Sequence, residues 1–137
     1  EITSALDVSV QAQIIDLLVQ LREKMDMSYI FITHDLTLAR YLCDRILVMY
    51  KGNEVESGNV KDIFENPMHP YTKLLLSSIM TLDNIDQSQN INYEKLEHSG
   101  GCKFKDMCPN RMEICNSRNP EIMELENTKV RCHMYNK

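Results

Sequence analysis

Ser28-Tyr29-Ile30-Phe31-Ile32-Thr33 runs directly into His34-Asp35-Leu36. A β-branched and aromatic run without polar alternation predicts a parallel strand covered on both faces. Such a strand needs helices around it, so the expected fold class is α/β. His34 then falls just beyond the carboxyl end of the strand, which is where open α/β sheets bind their ligands. A histidine there can equally be an ordinary surface or capped residue. Asp35 is placed to cap a short helix through Leu36, Leu38, Ala39, Tyr41 and Leu42.

Upstream, Val10, Ile14, Leu17, Leu18, Leu21 and Met25 recur at helical spacing, with Gln11, Gln13, Asp16, Gln20 and Glu23 opposite. The pattern predicts a helix with one buried stripe. Asp7 precedes that stripe, where its carboxylate can accept hydrogen bonds from first-turn amides. Glu1 would end the strand before the helix, in a strand–helix–strand unit. The chain opens on Glu1 rather than Met and its first helix starts almost at once, so the sequence reads as truncated.

Downstream, Arg45-Ile46-Leu47-Val48-Met49-Tyr50 and Glu54-Val55-Glu56-Ser57-Gly58 flank Lys51-Gly52-Asn53, a hairpin with its turn at Gly52. A helix around Val60–Glu65 must stop before Pro67. Asn66-Pro67-Met68-His69-Pro70-Tyr71 follows as a stiff connector, because proline fixes its own φ and restrains its predecessor. His69 here has a local reading as a turn former. The spacing predicts one more helix from Tyr71 to Met80, then a polar linker from Thr81 to Ser99. No internal repeat is evident.

The 137 residues, 43% hydrophobic and 26% charged, have the composition of one globular domain. The net charge of −5 is interspersed and forms no basic stripe, which argues against nucleic acid as a partner. Asp16, Gln20, Arg22 and Asp35 interrupt every run that could approach the roughly 18 apolar residues of a membrane span. These residues contain no charged-then-apolar stretch of the secretory type, and the expected compartment is the cytoplasm.

Of five cysteines, Cys102, Cys108, Cys115 and Cys132 fall near the end of the chain, while Cys43 stands alone in an apolar helix. An even cluster without a leader favours metal over disulfides. Four thiolates suit an iron–sulfur cluster or zinc. Gaps of five, six and sixteen residues are wider than the usual zinc knuckle and lean toward iron–sulfur. So short a tail needs a staple of some kind to fold.

The ordered set of motifs resembles a known family. Glu1-Ile2-Thr3-Ser4-Ala5-Leu6-Asp7 resembles the end of the Walker B strand of ABC ATPases and the D-loop after it, and Val8 to Ile14 continues the likeness. Phe31-Ile32-Thr33-His34-Asp35-Leu36 resembles their switch, or H-loop, strand. Asn66-Pro67-Met68-His69-Pro70-Tyr71-Thr72 resembles the C-terminal extension of ATPase subunits from oligopeptide, dipeptide and nickel importers. The tail from Gly101 to His133 is similar to a cysteine module in many of those subunits, where it is associated with a [4Fe–4S] cluster.

The resemblance implies a partial P-loop NTPase sheet with flanking helices, followed by a small Cys-rich extension. Residues 1–65 would be the closing part of the nucleotide-binding domain, 66–99 connector and linker, and 100–137 the metal-binding tail. Glu1 would polarise the attacking water and His34 would contact the γ-phosphate. Ser4, Ala5, Leu6 and Asp7 would form the D-loop that reaches across a nucleotide-sandwich dimer. ATP and Mg2+ would be the cofactors, with a [4Fe–4S] cluster or zinc in the tail. The implied partners are a second ATPase subunit, two membrane permeases and, indirectly, an extracytoplasmic binding protein, with the protein peripheral on the cytoplasmic face of the membrane.

Several departures bear on this. Ile2 stands where many relatives carry Pro. The phosphate loop G-x-x-x-x-G-K-[ST], the family's signature motif and the Asp before Glu1 do not occur in these residues. The chain alone is therefore expected not to bind or hydrolyse ATP, and to expose apolar surface around Ile30, Ile32 and Leu47. An alternative is a non-enzymatic metal-binding regulatory module with the tail as its working part. A soluble ABC protein of repair or translation would share the first motifs but not the connector and tail.

Overall fold

The computed structural model describes residues 8–80 and 100–136. It divides into two compact units, residues 1–44 and 45–137. The polar linker expected at 81–99 lies outside the described residues.

The first unit contains α1 (Val8–Met25) and α2 (Leu36–Leu42). Asp35 caps α2 as expected, its Oδ1 accepting from the Leu38 amide at 3.0 Å. The segment between the helices departs from expectation. Residues 28–33 form no strand, with Ile30 96% and Ile32 76% exposed. A parallel strand exists only through ladder partners on its edges and cover on its faces. Among the described residues of the first unit there is no strand, so this segment has no ladder partner there. The same lack reaches α1, where Val10, Leu17 and Met25 of the expected stripe are exposed and Ile15 is the buried residue. Arg22 ties the unit together by donating from Nη1 to the Leu42 carbonyl at 3.1 Å.

The second unit is built on a four-stranded antiparallel sheet: β1 (Arg45–Tyr50), β2 (Asn53–Asn59), β3 (Ile122–Leu125) and β4 (Thr128–Arg131), in the order β1-β2-β4-β3. The β1–β2 hairpin turns at Lys51-Gly52, where φ is +46° and +76°. Two positive φ values fit the type I′ turn that matches strand twist, and glycine adopts one without a Cβ penalty. Val48 pairs with Glu56 and Met49 with Glu54, leaving Val55 as a bulge residue. The bulge breaks strand alternation, so Val55, Glu56, Ser57 and Gly58 are all buried in succession.

After β2 come α3 (Val60–Glu65) and α4 (Pro70–Met80), with Pro70 at the first helical position, where its missing N–H costs nothing. Val48, Val55 and Ile63 form the core, with Ile46, Tyr50, Tyr71 and Leu75 packed against it. The Cys-rich segment is joined to this sheet: Glu56 pairs with Val130 and Ser57 with Lys129 across β2 and β4. On the other face of the hairpin Leu47 is 54% exposed, as expected from the sequence.

Ile63 is 1% exposed and Ile30 is 96% exposed, which fixes a paired prediction. Ile63→Ala is expected to cost about 2–5 kcal/mol for lost burial and a cavity. Ile30→Ser should change stability by no more than about 0.5 kcal/mol. Urea denaturation followed by circular dichroism measures both.

Candidate functional site

His34 sits at the mouth of α2 between two local clamps. The Asp35 amide donates to Thr33 Oγ1 at 2.9 Å, and the Asp35 carboxylate holds the Leu38 amide. These bonds fix the backbone on both sides of His34 while its side chain stays exposed. An imidazole carried this way is available to a ligand without rearrangement of its own loop. Glu1, Ser4, Ala5, Leu6 and Asp7 lie outside the described residues.

A second constellation surrounds the connector. Glu56 has no solvent exposure, and its carboxylate accepts from the Met68 amide at 2.6 Å and the His69 amide at 2.9 Å. The His69 ring takes the next donor, Nδ1 accepting from the Tyr71 amide at 3.0 Å. An acceptor at Nδ1 requires the proton on Nε2 of a neutral ring. His69 is 2% exposed, and burial pushes its pKa down to about 4. Thr72 is buried beside it, with an Oγ1 that has no hydrogen-bond partner. The sequence reading had Glu56 only as a hairpin residue; nothing local in the sequence signals a carboxylate that serves amides 12 and 13 positions away.

The tail closes over this connector. Phe104 is 2% exposed and stands edge-on to Tyr50 with ring centres 5.2 Å apart, 5.5 Å from Tyr71 and 5.7 Å from His69. Tyr135 donates its hydroxyl to the Met68 carbonyl at 3.2 Å. Gly101 permits the turn into Cys102: φ is +110°, and a Cβ there would lie 2.5 Å from the Cys115 carbonyl oxygen.

None of the five cysteines is joined in a disulfide. Burial pushes the thiols of Cys102, Cys108 and Cys132 up. Backbone amides oppose this: Phe104 and Lys105 donate toward Cys102, Asn110 toward Cys108 and Met134 toward Cys132. Their neighbouring thiols push the same way as burial, which places the four near one another. The Cys102 amide also donates to the Cys115 carbonyl at 2.9 Å. Four sulfurs, three of them with amides directed at them, fit a soft metal in kind. In placement they do not: among the described residues no three His, Cys, Asp or Glu side chains stand where they could hold one ion.

Residues 55–115, from the bulge of β2 through the connector to Cys115, match the family model for the oligopeptide/dipeptide transporter C-terminal region. The chain is 42% identical over 137 residues to the dipeptide transport ATP-binding protein DppD of Haemophilus influenzae, covering 97% of this chain and 42% of that protein. Over nearly its whole length the chain is similar to part of a peptide-transport ATP-binding protein. The di/tripeptide transport ATP-binding protein DppF of Pseudomonas aeruginosa is 38% identical, over 97% of the chain and 43% of its own length. The oligopeptide transport ATP-binding protein AppF of Bacillus subtilis is 37% identical, over 98% and 44%. The chain thus spans about two fifths of the length of the curated relatives it matches.

The buried neutral His69 sets a pH dependence. Its folded pKa of about 4 lies below the ordinary 6.5, so the folded state binds fewer protons than the unfolded one between these values. The contribution is whole above pH 6.5 and is lost as pH falls toward 4, up to about 3 kcal/mol. Urea midpoints of the chain between pH 4 and 7.5 should show this loss, and His69→Gln should flatten it.

Proposed function

We propose that this chain supplies the closing part of an ATP-hydrolysing subunit that drives a peptide-type ABC importer. The observation that carries the reading is the match of residues 55–115 to the transporter C-terminal region, within an alignment to peptide-transport ATP-binding proteins over nearly the whole chain. The clamped, exposed imidazole of His34 supports it, because a γ-phosphate contact needs a donor that is positioned yet accessible.

In this reading Glu1 accepts a proton from the attacking water and His34 steadies the terminal phosphate of Mg2+-bound ATP. Phosphoryl transfer depends mainly on positioning and charge stabilisation, so one carboxylate and one donor are the useful groups. Ser4, Ala5, Leu6 and Asp7 reach the second ATPase subunit. Two membrane permeases receive the motion, and an extracytoplasmic binding protein delivers the oligopeptide or dipeptide. Among the described residues no helix is long and apolar enough to cross a membrane, which suits a subunit held peripherally at the cytoplasmic face by its permeases. Residues 1–65 serve the nucleotide-binding domain, 66–99 the connector and linker, and 100–137 a metal-binding tail. The 137 residues alone carry no phosphate loop and are inactive by themselves.

The test is ATP turnover by the complete subunit. Glu1→Gln and His34→Ala should each lower kcat by on the order of a hundredfold or more, with nucleotide binding retained. Undiminished turnover in the double variant overturns the assignment.

For the tail, Cys102, Cys108, Cys115 and Cys132 are the proposed ligands of a [4Fe–4S] cluster, with zinc as the other soft metal they could take. Their number and the amide donors at Cys102, Cys108 and Cys132 support this, and the turns must shift to bring the four sulfurs into one ligand set. Anaerobically purified protein should contain about four iron atoms per chain and absorb broadly in the visible, with Cys115→Ser losing both. Stoichiometric zinc without colour would select zinc, and metal-free protein would end the proposal.

A further inference from the structure

Three of the four thiol turns each send a neighbouring residue into the hairpin or connector. Phe104, two positions after Cys102, packs on Tyr50, Tyr71 and His69. Met107, one before Cys108, receives the Tyr50 hydroxyl on its sulfur at 3.6 Å. Tyr135, three after Cys132, holds the Met68 carbonyl at 3.2 Å. The fourth turn is tied in through the Cys115 carbonyl, which accepts from the Cys102 amide. On the receiving side, Met68, His69 and Tyr71 have their amides committed to Glu56 and the His69 ring.

We infer that the thiol turns and the Asn66–Thr72 connector form one conformational latch, in which opening the thiol turns releases the Met68 and His69 amides from Glu56 and leaves the β1–β2 hairpin paired. The device depends on the surroundings of the sulfurs and not on what bridges them, so it stands apart from the choice of metal. Two features make it discrete. Phe104 is a single rigid ring filling one site among three aromatic neighbours and cannot be partly withdrawn without opening a cavity. The Glu56 carboxylate is buried, so it keeps both amides or must take up water when the connector lifts. The hairpin is held separately, by its own ladder and by Val48, Val55 and Ile63. Chemistry at the thiols is thereby reported at the entry of α4, where a peptide-transporter chain carries its distinctive His69-Pro70-Tyr71.

Coupling of this kind is reciprocal, which supplies two independent readings. In a Cys43→Ser background, after dialysis against a chelator, the chain is alkylated with N-ethylmaleimide and backbone hydrogen exchange is followed residue by residue. Exchange at Met68, His69 and Tyr71 should accelerate by on the order of tenfold or more, while β1–β2 ladder amides keep their protection. In the reverse direction, Glu56→Gln should raise the alkylation rate of Cys102 and Cys108 several-fold under native conditions. Unchanged connector exchange after alkylation overturns the latch. So does simultaneous loss of protection in the hairpin, because the tail would then be supporting the whole unit, and so does an unchanged thiol rate in Glu56→Gln.

Discussion

A carboxylate removed from water must be given donors, and Glu56 is given two by a segment that has few to offer. Pro67 and Pro70 contribute no N–H, so between them only Met68 and His69 carry amide hydrogens. Both go to Glu56, and the next amide, on Tyr71, goes to the His69 ring. Every backbone donor from Pro67 to Tyr71 is thus taken by a side chain rather than by another stretch of backbone. Each of these bonds to a charged acceptor is worth more than a neutral one, and a lost partner inside the fold would leave the carboxylate uncompensated. The prolines also narrow the unfolded ensemble, so less entropy is lost when the connector docks.

From this constraint the rest of the second unit follows. Anchoring Met68 and His69 sets where α4 begins, and α4 carries Tyr71 and Leu75 onto the core of Val48, Val55 and Ile63. Tyr71 with Tyr50 then forms the seat for Phe104. A histidine in that place has to be neutral: its ring caps the helix through Nδ1, and protonation would remove the acceptor and bury a second cost.

What was legible in the sequence depended on how local its cause was. The hairpin turn, the end of α3 before Pro67 and the Asp35 cap are each decided within a few residues, and each appears where expected. Residues 28–33 read as a buried strand because their composition answers to faces and edges that other strands provide; without such neighbours the same residues stay exposed. Gln13, Gln20 and Glu23 on α1 are exposed as expected, yet Ile15 rather than Leu17 found cover, since the covering surface differs from the one the periodicity assumed. The attachment of the Cys-rich tail could not be read at all. Pairing of Glu56 with Val130 spans more than half the chain, and the bulge that turns Glu56 inward looks like plain alternation in sequence. Of the proposed catalytic set, His34 was read as a strand-end residue, but the strand before it is not formed, and the D-loop and Glu1 rested on resemblance alone.

These two grades of legibility track two grades of self-sufficiency. The residues proposed for hydrolysis lie in a unit whose apolar segment 28–33 has no ladder among the described residues. Among the described residues the second unit pairs its own strands, the Met68, His69 and Tyr71 amides are accepted within it, and Phe104 is buried within it. The family match to the transporter C-terminal region begins at residue 55, inside the hairpin that opens this second unit. A segment whose strands pair with one another can be retained and varied as a module, whereas an apolar segment without ladder partners cannot. The match to the transporter C-terminal region therefore falls in the part that folds on its own contacts, and the residues proposed for hydrolysis fall in the part that does not.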